Sequence, residues 1–318
     1  MSRGILLVNV GTPDDPSVPS VRRYLREFLG DPQVLNMPAP LRWLLLNAVI
    51  LPFRPKRSAH AYQRIWTEGG SPLLLHSRAQ TEAVARALPG VMVRLAMRYG
   101  RPSLEDALGE FDAAGVEHVT VVPMFPQYAG ATVDSVVGRW NTLLTGREAP
   151  ATTVFPPFHA LDGFVQASGA LIRETVDAIS ADHVLFSFHG LPVAHHTCES
   201  DPCVPECYRS QCVTTMRLLS AAAGVSDSSM AFQSRLRGQK WIRPFTDEVL
   251  VSLAQRGVRR VAVACPSFVA DCLETLEEIA LTAAATFRSA GGEQLALVPA
   301  VNAHPDFIGA LARELASP

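Results

Sequence analysis

A chain of 318 residues is long enough for two domains at roughly 150 residues each. Apolar residues make up 48% and charged residues 18%, which excludes a disordered or low-complexity chain. Lys and Arg total 28 against 30 Asp and Glu, so no basic excess exists to neutralise a phosphate backbone, and nucleic acid is not an expected partner.

The opening Met1-Ser2-Arg3-Gly4 leads straight into Ile5-Leu6-Leu7-Val8, with no charged leader and cleavage site before it, so no secretory signal is expected. No apolar run reaches the ~18 residues of a spanning helix. Six cysteines in a chain of this size do not suggest a secreted disulfide scaffold. A cytoplasmic α/β protein is the expectation.

The first buried strand is Ile5 to Pro13 (ILLVNVGTP). The stretch Pro40 to Phe53 follows; from Trp43 on it has a single polar side chain, and it runs into the basic Arg54-Pro55-Lys56-Arg57. A core helix is the ordinary reading of such a run. Bracketing prolines, an aromatic at each end and the cationic cluster also fit an exposed lip over residues 40–57, covering a flat apolar ligand or resting on a membrane. Further strands are expected over Val93–Gly100 and Gly115–Pro123, the latter entered through a helix-capping glycine. Turn signals without apolar periodicity in Gly146–Thr153 place a domain boundary near residue 150.

The second half repeats this plan. Val184 to Pro192 (VLFSFHGLP) resembles the first strand, Met230 to Gly238 resembles Val93–Gly100, and Gly257 to Pro266 resembles Gly115–Pro123. Three matches in one order argue for two related halves, residues 1–150 and 151–304, with a terminal helix over Pro305–Leu315 packing back on the first. Ligands of open parallel sheets bind beyond the carboxyl ends of the strands. No G-x-G-x-x-G follows the first strand and no phosphate loop occurs, so a dinucleotide is not favoured.

Three constellations lie where chemistry is expected. His189 ends its strand beside Gly190; it is either a loop histidine held by hydrogen bonds or an imidazole facing a ligand. Asp271, Glu274 and Glu278 are spaced i, i+3 and i+7, which predicts three carboxylates on one helix face: solvated acids near a helix N-terminus, or hard oxygen donors along a metal or proton route. Cys198, Cys203, Cys207 and Cys212 place four thiols within fifteen residues. Disulfides, structural zinc and an iron–sulfur cluster all use such sets; a metal site is the favoured reading, and its metal is open. Cys265 and Cys272 belong to the strand end and helix start and are set aside as ligands.

Taken together, Leu185-Phe-Ser-Phe-His-Gly-Leu-Pro192, Leu6 to Pro13, Tyr62 to Pro72, Met97 to Tyr99, Phe125 to Tyr128, Phe232 to Ser234 with Trp241, and Pro266 to Ile279 resemble the ferrochelatase family over about 270 residues. The resemblance implies two similar Rossmann-like domains, each a four-stranded parallel sheet flanked by helices, with a porphyrin cleft between them. It implies insertion of Fe²⁺ into protoporphyrin IX in the last step of haem synthesis. His189 matches the family's active-site histidine and Glu274 its partner carboxylate, both facing the incoming iron, with Asp271 and Glu278 as steps of a metal or proton path. Arg54 and Arg98 match positions near the porphyrin propionates; Tyr99, Tyr128, Gln233, Ser234 and Trp241 are looser pocket candidates. The segment 40–57 resembles the family's lip and implies a peripheral contact with the inner membrane. The four cysteines, within a loop over 198–212, resemble the 2Fe–2S loop of a bacterial subset. Two departures stand out: Cys272 where some members carry a second histidine, and Val10 where coproporphyrin-using relatives carry a tyrosine. With the apolar lip, the second favours protoporphyrin IX. A coproporphyrin ferrochelatase and a cobalt chelatase acting on another tetrapyrrole are the alternatives.

Overall fold

A computed structural model describes residues 2–193, 207–235 and 240–316. The chain divides into two units, one formed by residues up to Phe125, by Ala129–Pro157 and by the chain from Ala312, the other by Pro126–Tyr128 and Phe158–Leu311.

The first unit is built on β1 (Arg3–Thr12), β2 (Met92–Gly100), β3 (His118–Pro123) and β4 (Ala151–Val154), all parallel, in the order β2-β1-β3-β4. Because β4 pairs with β3, this unit continues beyond residue 150, to Pro157. Its helices are α1 (Val18–Gly30), α2 (Ala39–Leu44), α3 (Leu51–Ile65), α4 (Pro72–Ala87), α5 (Leu104–Ala113) and α6 (Ser135–Leu144). Successive side chains of β1 point to opposite faces, yet Ile5, Leu6, Leu7 and Val8 are all buried. A strand covered on both faces needs such a continuous apolar run rather than an alternating one. Leu6 and Val8 join Leu108, Phe111 and Trp140 in a core under α5 and α6.

The second unit repeats that order. Strands β5 (His183–His189), β6 (Ser228–Gln233), β7 (Arg260–Ala264) and β8 (Gln294–Leu297) are parallel and run β6-β5-β7-β8. Helices α7 (Asp162–Ile179), α8 (Tyr208–Ala223), α9 (Thr246–Gln255), α10 (Leu273–Leu276) and α11 (Ala284–Ser289) flank them, and α12 (Pro305–Ala316) ends the described chain. Leu185, Val261, Val263, Leu250, Leu253, Ile279 and Phe287 form its core. The expected repeat is present at each matched strand, and it extends to the helix ends. Gly115 caps α5 by donating to Asp112 while Val116 donates to Phe111; Gly257 caps α9 by donating to Ala254 while Val258 donates to Leu253. Both glycines have positive φ, +64° and +93°, which this reversal into a buried strand requires.

The run after Met37 is neither a core helix nor a loop. Helices α2 and α3 enclose a wider-wound π segment, Leu45–Ile50. Leu46, Leu51 and Pro55 are buried, whereas Leu41, Trp43, Leu44, Val49 and Phe53 are between 53% and 76% exposed. These are five of the seven large apolar side chains exposed among the described residues, which makes the segment a deliberate apolar surface. No helix among the described residues is long and apolar enough to cross a membrane.

Candidate active site

The carboxyl ends of β6, β5 and β7 are neighbours, so three segments converge just beyond them: His189-Gly190, Gln233-Ser234 and the chain from Cys265 to α10. His189 faces Gln233 in the ladder, and Gly190 N donates to Gln233 O at 2.8 Å. A Cβ on residue 190 would come within 2.7 Å of that oxygen and 3.3 Å of the Trp241 ring. Only glycine lets the chain turn away from the sheet here.

Nδ1 of His189 lies 2.6 Å from Gly190 O. A carbonyl oxygen only accepts, so Nδ1 carries the proton and Nε2 is left with its lone pair. Burial pushes the imidazole's proton affinity down; the nearby Glu274 carboxylate and the Gly190 carbonyl push it back without overcoming that effect. The result is a neutral histidine with a basic nitrogen beside an acidic side chain. Phe268 packs edge-on at 6.1 Å between ring centres and limits the ring's rotation.

Gln233 ties the carboxylate segment to the sheet. Its Oε1 accepts from Ser187 at 2.6 Å, and its Nε2 donates to Glu274 O at 2.9 Å and to the Glu278 carboxylate at 3.4 Å. Ser234 donates to Glu278 twice, from its backbone N–H at 2.7 Å and its hydroxyl at 2.5 Å. That double contact coincides with a left-handed backbone at Ser234, φ +65°, an uncommon state for a serine. Burial raises the Glu278 carboxyl above the usual carboxylate range despite these three donors.

The three acids do not share one helical face. Helix α10 begins at Leu273 with Cys272 as its cap, so Asp271 lies outside it. Beyond α10 the winding widens to a π segment over Glu278–Ala283, in which Thr282 N bonds Glu277 O. A 3.6-residue period therefore does not carry through from Glu274 to Glu278. The Asp271 carboxylate is buried and accepts from Asn302 Nδ2 and Thr275 Oγ1, each at 2.9 Å, while Thr275 Oγ1 also accepts from Cys272 N. These contacts hold the start of the helix that carries Glu274.

The sequence-matched residues of the first unit occupy a hub of their own. Arg98 Nη2 pairs with Asp31 at 2.5 Å and its Nε donates to Ser135 O and Oγ. The same Asp31 oxygen accepts from Tyr99 at 2.8 Å and from Ser135 at 2.7 Å. Burial opposes charge on Asp31, but the bonds from Ser135, Gln33 and Tyr99 and the Arg98 charge win and hold its carboxyl below the usual range. Tyr99 is fully buried. Arg54 stands on α3, half-buried and next to the exposed Phe53. Tyr128 is partly exposed and its backbone N–H donates to Gln211 on α8 at 2.7 Å; Gln127 donates to Thr215 on the same helix and to Pro266 O.

Cys198 and Cys203 lie outside the described residues. Cys207 caps α8 and Cys212 stands one turn into it, both buried. Burial, the Tyr208 hydroxyl and the charge of Cys207 act on the Cys212 thiol, and burial dominates, pushing its proton affinity up. Among the described residues no group of three or more metal-ligating side chains is assembled. Asp31, Ser135, Tyr208, Ser267 and Asn302 support these sites and carry no sequence signal, since each acts across a long separation.

A family model described as Ferrochelatase matches residues 2–317. Curated relatives named Ferrochelatase include one from Opitutus terrae, 43% identical over 99% of this chain and 97% of its own, and one from Pseudomonas putida, 41% identical over 97% of each. One from Coxiella burnetii (strain Dugway 5J108-111) is 42% identical over 98% of this chain and 92% of its own. Among solved structures, SirB from Bacillus subtilis with Fe3+ has the same fold, with a TM-score of 0.58 at 12% identity, covering 99% of this chain and 94% of that one. Identity above 40% across nearly the full length, together with two four-stranded parallel sheets, shows that the chain belongs to the ferrochelatase family.

Proposed function

We propose that this enzyme inserts Fe²⁺ into protoporphyrin IX, with His189 as acceptor of the pyrrole protons and Glu274 as the carboxylate that meets the incoming ion. The observation that carries this reading is the His189 Nδ1–Gly190 O bond, which leaves Nε2 unprotonated on a ring that feels the Glu274 charge. Insertion exchanges two N–H protons for one dication. A neutral imidazole accepts a proton without first losing one, and an ionised carboxylate offsets the charge of the metal. Glu278, partly buried and with its carboxyl raised by desolvation, is placed as a step of a proton path. Asp271 serves the route by holding α10 in place through Thr275. Pocket contacts fall to Tyr128, Gln233, Ser234 and Trp241, and propionate pairing to Arg54. Arg98, paired with Asp31 through Nη2, and the buried Tyr99 stand at the same strand end as further porphyrin-side candidates.

Preference for protoporphyrin IX over coproporphyrin rests on Val10 and on the apolar surface of residues 41–53, which suit vinyl groups better than additional carboxylates. The same surface, beside Lys56 and Arg57, is suited to peripheral contact with the inner membrane of a cytoplasmic enzyme. Anaerobic incubation of the protein with Fe²⁺, or Zn²⁺ as surrogate, and each of protoporphyrin IX, coproporphyrin III and sirohydrochlorin tests the assignment. The highest kcat/KM is expected with protoporphyrin IX; a higher value with coproporphyrin or sirohydrochlorin selects the corresponding alternative.

We also propose that Cys198, Cys203, Cys207 and Cys212 hold a 2Fe–2S cluster. In support, Cys207 and Cys212 are both buried, at the N-terminal end of α8, near enough to influence one another electrostatically. When bound, such a cluster supplies a redox-sensitive cross-link between α8 and the chain segment before it; metal insertion is redox-neutral and needs only the other residues. The purified protein is expected to be brown, with equal iron and sulfide and visible bands that bleach on reduction. Zinc without sulfide contradicts the proposal.

A further inference from the structure

The β5–β7 ladder ends at Phe186 opposite Ala264, three residues short of His189. On that side the backbone of His189 has no strand to pair with, although a base must be aimed to within a fraction of an ångström. Side chains take the place of the ladder. Ser267 Oγ accepts from His189 N at 3.2 Å, and Tyr208 Oη donates to His189 O at 2.7 Å. Tyr208 Oη and Ser267 Oγ are themselves 3.1 Å apart, which closes a ring around the His189 peptide groups. Tyr208 is buried, and the Cys212 thiol is its other polar neighbour. A phenol has one proton to give. With that proton on the His189 carbonyl, Ser267 is left as the donor to the phenol oxygen.

We propose that Tyr208 is a positioning residue for the insertion reaction, its hydroxyl locking the His189 backbone so that Nε2 is aimed at the porphyrin, and tying the first turn of α8 to the active histidine. It touches no reacting atom. Since Tyr208 lies between Cys207 and Cys212, any displacement of that turn is transmitted to His189 directly through the Tyr208 hydroxyl and by way of Ser267. The inference rests on His189 being the proton acceptor.

The test compares Tyr208→Phe, Ser267→Ala and His189→Ala with wild type in the Zn²⁺–protoporphyrin assay, alongside NMR of histidine-labelled protein. Tyr208→Phe keeps the ring and removes one oxygen. It is expected to lower kcat about tenfold, with little change in the KM for porphyrin. It is also expected to remove the exchange-protected Nδ1–H resonance of His189. Ser267→Ala is expected to show the same signature more weakly, and serves as the deciding variant if Tyr208→Phe does not fold. In a His189→Ala background Tyr208→Phe is expected to cause no further loss. Wild-type kcat with an intact Nδ1–H signal in Tyr208→Phe, or in Ser267→Ala where that variant decides, overturns the proposal. Full turnover in His189→Ala alone instead overturns the reading of His189 on which it rests.

Discussion

Nδ1 of His189 and the carbonyl oxygen of Gly190 are 2.6 Å apart, and this contact between adjacent residues sets the tautomer of the histidine proposed as proton acceptor. Burial lowers the proton affinity of the imidazole, so it remains neutral at pH values where an exposed histidine, near pKa 6.5, is already charged. The acid limb of kcat/KM is therefore expected below pH ~6.5. The sign for stability is the same. Between the lowered value and about 6.5 the unfolded chain binds a proton that the native histidine does not, so this residue makes stability rise with pH in that window and level off above it. A pH–rate profile whose acid limb lies above neutrality would contradict the assignment.

Gly190 is held by geometry rather than chemistry. Adding a methyl group at this position drives Cβ to within 2.7 Å of Gln233 O, backbone of the edge strand β6. Gly190→Ala is expected to cost about 1–3 kcal/mol of stability and most of the activity, because the shift moves the carbonyl that orients His189. Urea denaturation and the insertion assay measure both; unchanged values for the two together would show that the strand ends are more pliant than this packing implies.

The Arg98–Asp31 pair is the charged centre of the first unit, with side-chain exposures of 15% and 5%. Asp31→Asn leaves a largely buried guanidinium without its counter-charge, and a loss of about 3–5 kcal/mol is expected. Asp31 has a lowered carboxyl, so its contribution is complete above pH ~3.9 and is lost as pH falls through the native value. Denaturant titration of the variant at neutral pH checks the magnitude. A free energy indistinguishable from wild type would mean that the neutral bonds of Tyr99 and Ser135 suffice.

Trp43 and Phe53 are 66% and 76% exposed, so replacing both with serine removes apolar surface without opening a cavity. Folding stability is expected to stay within about 0.5 kcal/mol of wild type, while co-sedimentation with vesicles containing anionic lipid falls several-fold. Undiminished vesicle binding would remove the membrane from the account and leave the lip to the porphyrin.

The sequence was informative where local pattern decides structure. Continuous apolar runs marked the strands, Gly115 and Gly257 marked matching helix ends, and His189-Gly190 marked a strand end. Pattern failed where the backbone departs from regular winding. The spacing of Asp271, Glu274 and Glu278 assumes an α-helix, and the cap at Cys272 and the π segment from Glu278 break that assumption. Spacing also reveals nothing about contacts between distant residues. Asp31 meets Arg98 across 67 positions and Tyr208 meets His189 across 19, and nothing local to either member of each pair announces the other. The run from Leu41 to Phe53 read either as a core helix or as an exposed lip, since an apolar run alone looks alike in both; its exposed side chains favour the lip.

The central claim is that one basic nitrogen and one carboxylate at the ends of the second sheet perform the exchange of protons for metal. The direct measurement is steady-state insertion of Zn²⁺ or Fe²⁺ into protoporphyrin IX by His189→Ala and Glu274→Gln, with folding confirmed for each. The account predicts losses of kcat of about 10²–10⁴-fold in both, with porphyrin binding retained. Turnover within a few-fold of wild type in either variant would contradict it.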